Sequence, residues 1–320
     1  MTKTGVPRYD ELPIDPKYPP HTAWGVWGLH DNLGTLNFLT AERIAQATKF
    51  VRRGAVFSLN WGLEQPNPPF FGRSAIQHQI RDRSNDGRKF DDVYDNFNTQ
   101  SSTQWDGLRH VCHLSSHRFY NNVAPSEVTP GPEATDRLGM HFVARHGIAG
   151  RAVLLDYARW AEKHCKQEFK PLSRQEVTVE ELEMVAAEQK VKFMPGDILL
   201  IRMGWMAAHL KTPEVMAGAK IPQCIGLKAC QKTFKWLWDH QFAAVASDVI
   251  ALEAFPPHNW DDSLHAQCLG GFGMMLGEMF YLEDLAEDSA HDGVYEYLFT
   301  STPLNKEGGV ASPPNALCLK

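Results

Sequence analysis

Three short runs made wholly of apolar residues limit what this chain can fold into: Ala152–Leu155 (AVLL), Ile198–Ile201 (ILLI) and Ala243–Ala246 (AAVA). Each is short and unbroken by polar positions, so each reads as a buried strand. Two of them run into an acid, Asp156 and Asp248, where a strand emerges from the core; these acids are expected to accept hydrogen bonds at strand ends. Helical patterns lie between the runs. Thr178-Val-Glu-Glu181 has capping-box spacing ahead of Leu182, Val185 and Ala186. Residues Gly226–His240 put Leu227, Cys230, Phe234 and Leu237 on one stripe. Thr40 caps a further helix through Val51, Gly54 stops it, and Ala55–Asn60 follows as a strand. Strands interleaved with helices predict an α/β protein.

No repeat or linker divides the chain, so residues 1–320 are expected to form one domain, with residues 1–40 an irregular arm. Glu64–Asn98 fits neither period and is expected to form hairpins and loops near the site. Gly270-Gly-Phe-Gly273 matches no phosphate-binding pattern, and close helix packing explains it better.

The charges, 32 basic against 38 acidic, include no basic run, which argues against a nucleic-acid partner. The polar, Pro-rich start lacks the apolar centre of a signal peptide, and no stretch of about 18 apolar residues predicts a membrane span. The 6 cysteines are scattered without a CxxC pair, as expected of free thiols in the cytoplasm. Cys112, between His110 and His113, could be a nucleophile but reads better as an inert thiol.

The chemistry concentrates in Gln100-Ser-Ser-Thr103-Gln104-Trp105-Asp106-Gly107-Leu-Arg-His110, with further imidazoles at His113 and His117. Burying such groups without partners costs free energy, so their density points to a site. Taken singly, Asp106 serves equally as a turn cap, and His110 and His265 as structural histidines. Glu278 stands in the apolar stretch MMLGEMFYL, where a carboxylate needs a partner. His113 and His117 read as pocket lining or surface.

The run resembles the signature of the cyclase family, which includes bacterial kynurenine formamidases and isatin hydrolases. That signature is HxGTHxDxPxH, followed far downstream by a His and then a Glu. Here the downstream pair is His265 and Glu278, in LHAQCLGGFGMMLGE. The segments WGVWGLHDNLGTLNFLT, GIAGRAVLLDYAR, PGDILLIRMGW and PLNKEGGVASPPNA are similar to a longer-chain branch of the family. Gln100 and Gln104 stand where the signature has its first two histidines. The resemblance implies a swivelling β/β/α domain: a central, partly barrel-like β-structure flanked by helices, in homodimers or homotetramers.

It also implies a metal set of Asp106, His110, His265 and Glu278, with Gln104 as a weak fifth ligand. A glutamine amide binds zinc or manganese far less well than imidazole, so one ion or none is expected in place of two. An ion so held would polarise water for attack on a carbonyl, with His110, His265 or Glu278 passing a proton to the leaving group. Gln100, Trp105, Tyr120, Asn121, Trp61 and Phe71 are candidates for substrate contact. Together with Phe70, Phe90 and Phe119, the aromatic residues suggest a flat, apolar small-molecule substrate. The leading expectation is hydrolysis of a C–N or ester bond in a small cyclic or aryl formamide, lactam or lactone. The alternatives are a metal-free cyclase or dehydratase of a natural-product pathway and a non-catalytic binding protein.

Overall fold

The computed structural model describes residues 5–165, 168–216, 219 and 221–320. Along the chain the strands are β1 (Val56–Ser58), β2 (Gln77–Asp82), β3 (Phe90–Asp95), β4 (Gln104–Asp106) and β5 (Ile148–Asp156). There follow β6 (Glu176–Val177), β7 (Ile198–Arg202), β8 (Gly226–Leu227), β9 (Ala244–Ser247) and β10 (Met275–Glu278). The last are β11 (Glu296–Ser301), β12 (Ala311–Ser312) and β13 (Ala316–Leu319). Among the described residues a 9-stranded sheet has the order β1-β13-β11-β5-β7-β9-β10-β4-β12. Its middle, β5-β7-β9-β10, is parallel, and the strands on either side run antiparallel to their neighbours. The sheet curls into a half-barrel flanked by helices, the partly barrel-like α/β arrangement that the resemblance implies.

The three apolar runs fall in β5, β7 and β9. Along β5, Val153 and Leu155 join one apolar cluster while Ala152 and Leu154 join the other. β7 divides Leu199 and Ile201 from Ile198 and Leu200 in the same way. Burial on both faces is why a parallel central strand reads as an unbroken apolar run. The acids at their ends behave as expected. Asp156 caps the helix Tyr157–His164 and meets Arg202 Nη1 at 2.8 Å, and Asp248 accepts from the backbone N–H groups of Met203 and Gly204 at 2.6 and 2.8 Å.

Local signals set the helix starts. Thr40 caps Ala41–Ala47, which ends before Val51 and tightens into the 3-10 turn Thr48–Phe50; the strand after Gly54 is confined to β1. Thr178 and Glu181 form the reciprocal box at the start of Val179–Gln189, with the Thr178 N–H donating to Glu181 at 2.7 Å. Thr178→Ala is expected to destabilise the protein by about 1 kcal/mol, read as a shifted urea midpoint with unchanged slope. The stripe from Gly226 overreached: the helix is Gln231–Asp239, and Gly226-Leu227 instead pairs in parallel with β6. A Cβ on Gly226 would lie 2.2 Å from the backbone carbon of Glu253, an approach that only glycine permits.

Between Glu64 and Asn98 lie loops and the exposed hairpin β2–β3, as expected. The arm packs on its own chain. The Ala23 N–H donates to Gly271 O at 2.9 Å, Trp24 Nε1 to Gly270 O at 2.8 Å, and Trp238 Nε1 to Pro7 O at 2.9 Å. The glycine-rich segment is close packing, as expected: Gly270 lies in the π-helix Ala266–Phe272, against the backbone of His113.

Candidate metal centre

Strand β4 is only Gln104-Trp105-Asp106, and its pairing decides which side chains meet. Antiparallel register against β10 sets Gln104 opposite Glu278, Trp105 opposite Gly277 and Asp106 opposite Leu276. Side chains alternate along a strand, so Gln104, Asp106 and Glu278 share one face and Trp105 takes the other. There Trp105 packs on Phe280 and Phe299, with ring centroids at 5.0 and 6.3 Å, and its indole N–H donates to Ser301. Trp105 is therefore a core residue, and the expectation that it contacts substrate is corrected.

The functional face is buried. Asp106 is fully enclosed; its Oδ1 accepts from Gln100 Nε2 at 2.7 Å, while its Oδ2 has no hydrogen-bond partner. That oxygen lies 3.5 Å from His265 Nε2 and 3.8 Å from His110 Nε2. One ligand atom from each of Asp106, His110 and His265 lies within 4.8 Å of the others. A lone carboxylate oxygen aimed between two imidazole nitrogens is a donor set that suits zinc or manganese, so the residues fit the expected ion. Glu278 completes the group, with Oε1 3.0 Å from His265 Nε2 and Oε2 accepting from Gln104 Nε2 at 2.6 Å. Gln104 Oε1 is buried without a partner. Both glutamines thus turn their amide N–H groups towards carboxylates.

Glu253 was missed from the sequence. Both its oxygens lie 2.9 Å from His265 Nδ1, and it is buried. An acid within the apolar run Val249–Phe255 is the signal that could have found it, the same one that marks Glu278. With carboxylates on both ring nitrogens His265 favours the doubly protonated form, since ionised carboxylates only accept; it would hold an ion only by releasing the proton on Nε2. Burial acts to lower the His265 pKa, but Glu253, Asp106 and Glu278 together hold it well above its ordinary value. Burial pushes the Glu278 carboxyl up, helped by the charge of Asp106, to about 7. Burial also acts to raise Asp106, yet the charges of His110, His265 and Arg73 outweigh it and keep that carboxyl low. At His110 burial dominates and lowers the pKa, leaving a neutral imidazole at neutral pH.

Carboxylates behind metal-ligating histidines orient the ring and raise its basicity. Glu253→Gln is accordingly expected to weaken divalent-ion binding by about 10–100-fold, measured by competition with a chelating dye. Unchanged affinity would remove Glu253 from this role.

A cleft of about 240 Å³ opens over the cluster, with His110, His265 and Glu278 at its floor. Its walls are apolar: Val111, Ile250, Ala251, Phe255 and Trp260, with Phe71 beside them. Arg73, also missed from the sequence, is the cation among these lining residues. A larger cleft of about 460 Å³ beside Ala41–Ala47 has none of the candidate ligands in its lining.

Other candidates lie elsewhere. Tyr120 donates to Asp31, and Asn121 accepts from the Gly25 N–H and donates to the Gly28 and Asp31 carbonyls, so both secure the arm and are not at the cleft. Trp61 meets His209 edge-on at 5.8 Å, and its backbone N–H donates to Thr103. Phe70 packs on Trp205 and His209, Phe90 is exposed on the hairpin, and Phe119 belongs to the core. His113 is buried against Trp24 and His117 is exposed. Burial raises the Cys112 thiol, as suits an unreactive sulfur.

Residues 57–254 match the family described as Putative cyclase. A solved structure described as a novel cyclase is 32% identical, covering 93% of this chain and 99% of its own, with a TM-score of 0.82. Isatin hydrolase A from Labrenzia aggregata, bound to benzyl benzoate, is 15% identical over 85% of this chain and 94% of its own (TM-score 0.59). Isatin hydrolase A from Ralstonia solanacearum is also 15% identical, over 87% and 95% (TM-score 0.56); at such identities the likeness is one of fold. No curated protein sequence matches this chain. With a family match over more than half its length and a close structural relative along nearly all of it, the chain belongs to the cyclase family.

Proposed function

We propose that this protein is a metal-dependent hydrolase of a C–N or ester bond in a small cyclic or aryl formamide, lactam or lactone. The observation that carries the reading is the buried Asp106 Oδ2, without a hydrogen bond and facing the Nε2 atoms of His110 and His265. Glu278 is the fourth ligand in this reading. A divalent ion held there would supply a Lewis acid and activate water for attack on the carbonyl. Among the chain's own groups, His265 is fixed between Glu253 and Glu278, whereas His110 faces the cleft as a neutral imidazole. His110 is therefore assigned the proton shuttle: it takes a proton from the attacking water and passes it to the leaving group, and it cannot hold the ion while it does so. The apolar walls hold a flat ring and keep bulk water off the floor. Gln100 and Gln104 orient Asp106 and Glu278 through their amide N–H groups, which supports a single ion.

Elemental analysis of protein purified without added metal or chelator tests this reading. About one zinc or manganese ion per chain supports it, and activity on amides, lactams or lactones that ends with chelation and returns with the ion completes it. One observation favours a second reading: Glu253, His265 and Glu278 form a hydrogen-bonded acid–base chain. Negligible metal after soaking in zinc and manganese would put a metal-free cyclase or dehydratase first.

A further inference from the structure

We propose that Arg73 is the anion-binding residue of the cleft and that its ligand is a monocarboxylate borne on a flat apolar body. The inference deepens the hydrolase reading and rests on it for the place of the site, though not for the ion.

Arg73 is half-buried, and no carboxylate of the described residues comes within 4.0 Å of it. It feels the charges of Asp106 and Glu278 at longer range, but a guanidinium partly withdrawn from water gains most from a directly paired anion, which none of them supplies. Arg73 Nη1 donates to the backbone carbonyl of Gln100, which anchors one arm of the fork and leaves the other nitrogens for a ligand. The guanidinium carbon lies over the Phe71 ring, 5.1 Å from its centroid, a cation–π contact that helps to hold it. The rest of the lining is the apolar wall and the floor of His110, His265 and Glu278, so the wall offers an incoming anion no second cation. A planar fork pairs with a carboxylate through two parallel N–H···O bonds.

The floor already holds the carboxylates of Asp106 and Glu278, with Glu253 behind His265. These acids offset the charge of His265 or of an ion held at the floor and leave Arg73 as the cation of the wall, which suits a single negative charge and disfavours a dianion such as phosphate. Phe255, Trp260 and Phe71 leave an apolar slot of limited volume, which fits a ring-sized body and excludes a bulky one.

Calorimetric titration with phenylacetate and with 2-phenylethanol, which carries the same ring without the charge, tests the proposal. It is run on the native protein, Arg73→Met and Arg73→Lys, each as purified and after chelator stripping. Native protein is expected to bind phenylacetate at least tenfold more tightly than 2-phenylethanol. Arg73→Met should lose at least tenfold for phenylacetate and change less than twofold for 2-phenylethanol. Arg73→Lys, which keeps the charge but not the fork, should fall between them. Equal native affinities for the two probes would overturn the proposal, as would unchanged phenylacetate binding by a folded Arg73→Met. A preference for the acid that vanishes on stripping and ignores Arg73 would assign the anion to the ion, leaving the hydrolase reading intact. An Arg73-dependent preference in protein that never retains metal would support the subsite while the metal reading fails. Tighter binding of inorganic phosphate than of phenylacetate would overturn the choice of ligand.

Discussion

Asp106→Asn is expected to strip the protein of its tightly held divalent ion while leaving the fold standing. The carboxylate is fully buried on β4, with one oxygen held by the Gln100 amide and the other free between two imidazoles. Asparagine has the same shape and can still accept from Gln100, but it removes the charge that attracts a cation. Loss of a ligand should exceed the cost of removing a residue behind one, so affinity should fall by more than about 100-fold. Stability should respond differently. Asparagine relieves an unpartnered buried charge but gives up the attraction to His265, so the two effects oppose and metal-free Asp106→Asn should melt within a few degrees of the native protein. What should disappear is the rise in melting temperature on adding zinc, since a ligand at 100 times its dissociation constant stabilises by about 2.7 kcal/mol. Retention of one ion per chain by the variant would sink the assignment of Asp106 as a ligand.

Gly270→Ala is expected to be among the most destabilising single-methyl additions in the protein. The added Cβ would lie 2.0 Å from His113 N and 2.5 Å from Cys112 C, all backbone and unable to swing aside. The π-helix must then move away from the loop that follows His110, and Gly270 O must release the Trp24 indole. Overpacking of this kind costs about 3 kcal/mol or more when the neighbour cannot yield, read from urea denaturation. Gly271→Ala is the control. Its Cβ would meet the Gln267 amide at 2.9 Å, the far end of a flexible side chain, so its cost should be clearly smaller. Equal losses would show that the segment resists any side chain, not contact with His113 in particular.

The fold was legible where burial writes itself into composition. AVLL, ILLI and AAVA are apolar throughout because β5, β7 and β9 have core on both faces, and Thr178 and Glu181 act on neighbours in sequence. Legibility failed where a residue's role depends on a distant partner. Leu227 fits a helical stripe, yet Gly226 must lie against Glu253, a constraint invisible in the local period. Trp105 sits amid the polar signature but in a three-residue strand, too short to display the alternation that turns it into the core. Asp106, His110, His265 and Glu278 could be picked out through the family resemblance, and the fold brings them together. Glu253 lies outside that signature. Arg73 lies in an aperiodic loop, where nothing in the sequence tells a cation facing a cleft from one facing water.

The arm's docking onto the π-helix sets a problem of timing during synthesis. Trp24 leaves the ribosome 246 residues ahead of Gly270, whose carbonyl receives its indole N–H. At about 5–20 residues per second that is a wait of roughly 10–50 s. Throughout it, Tyr9, Trp24 and Trp27 have no finished surface to cover them, although Tyr9 and Trp24 end fully enclosed. The segment made early is thus among the last to settle, and until it does the nascent chain exposes aromatic side chains that chaperones recognise and other nascent chains can capture.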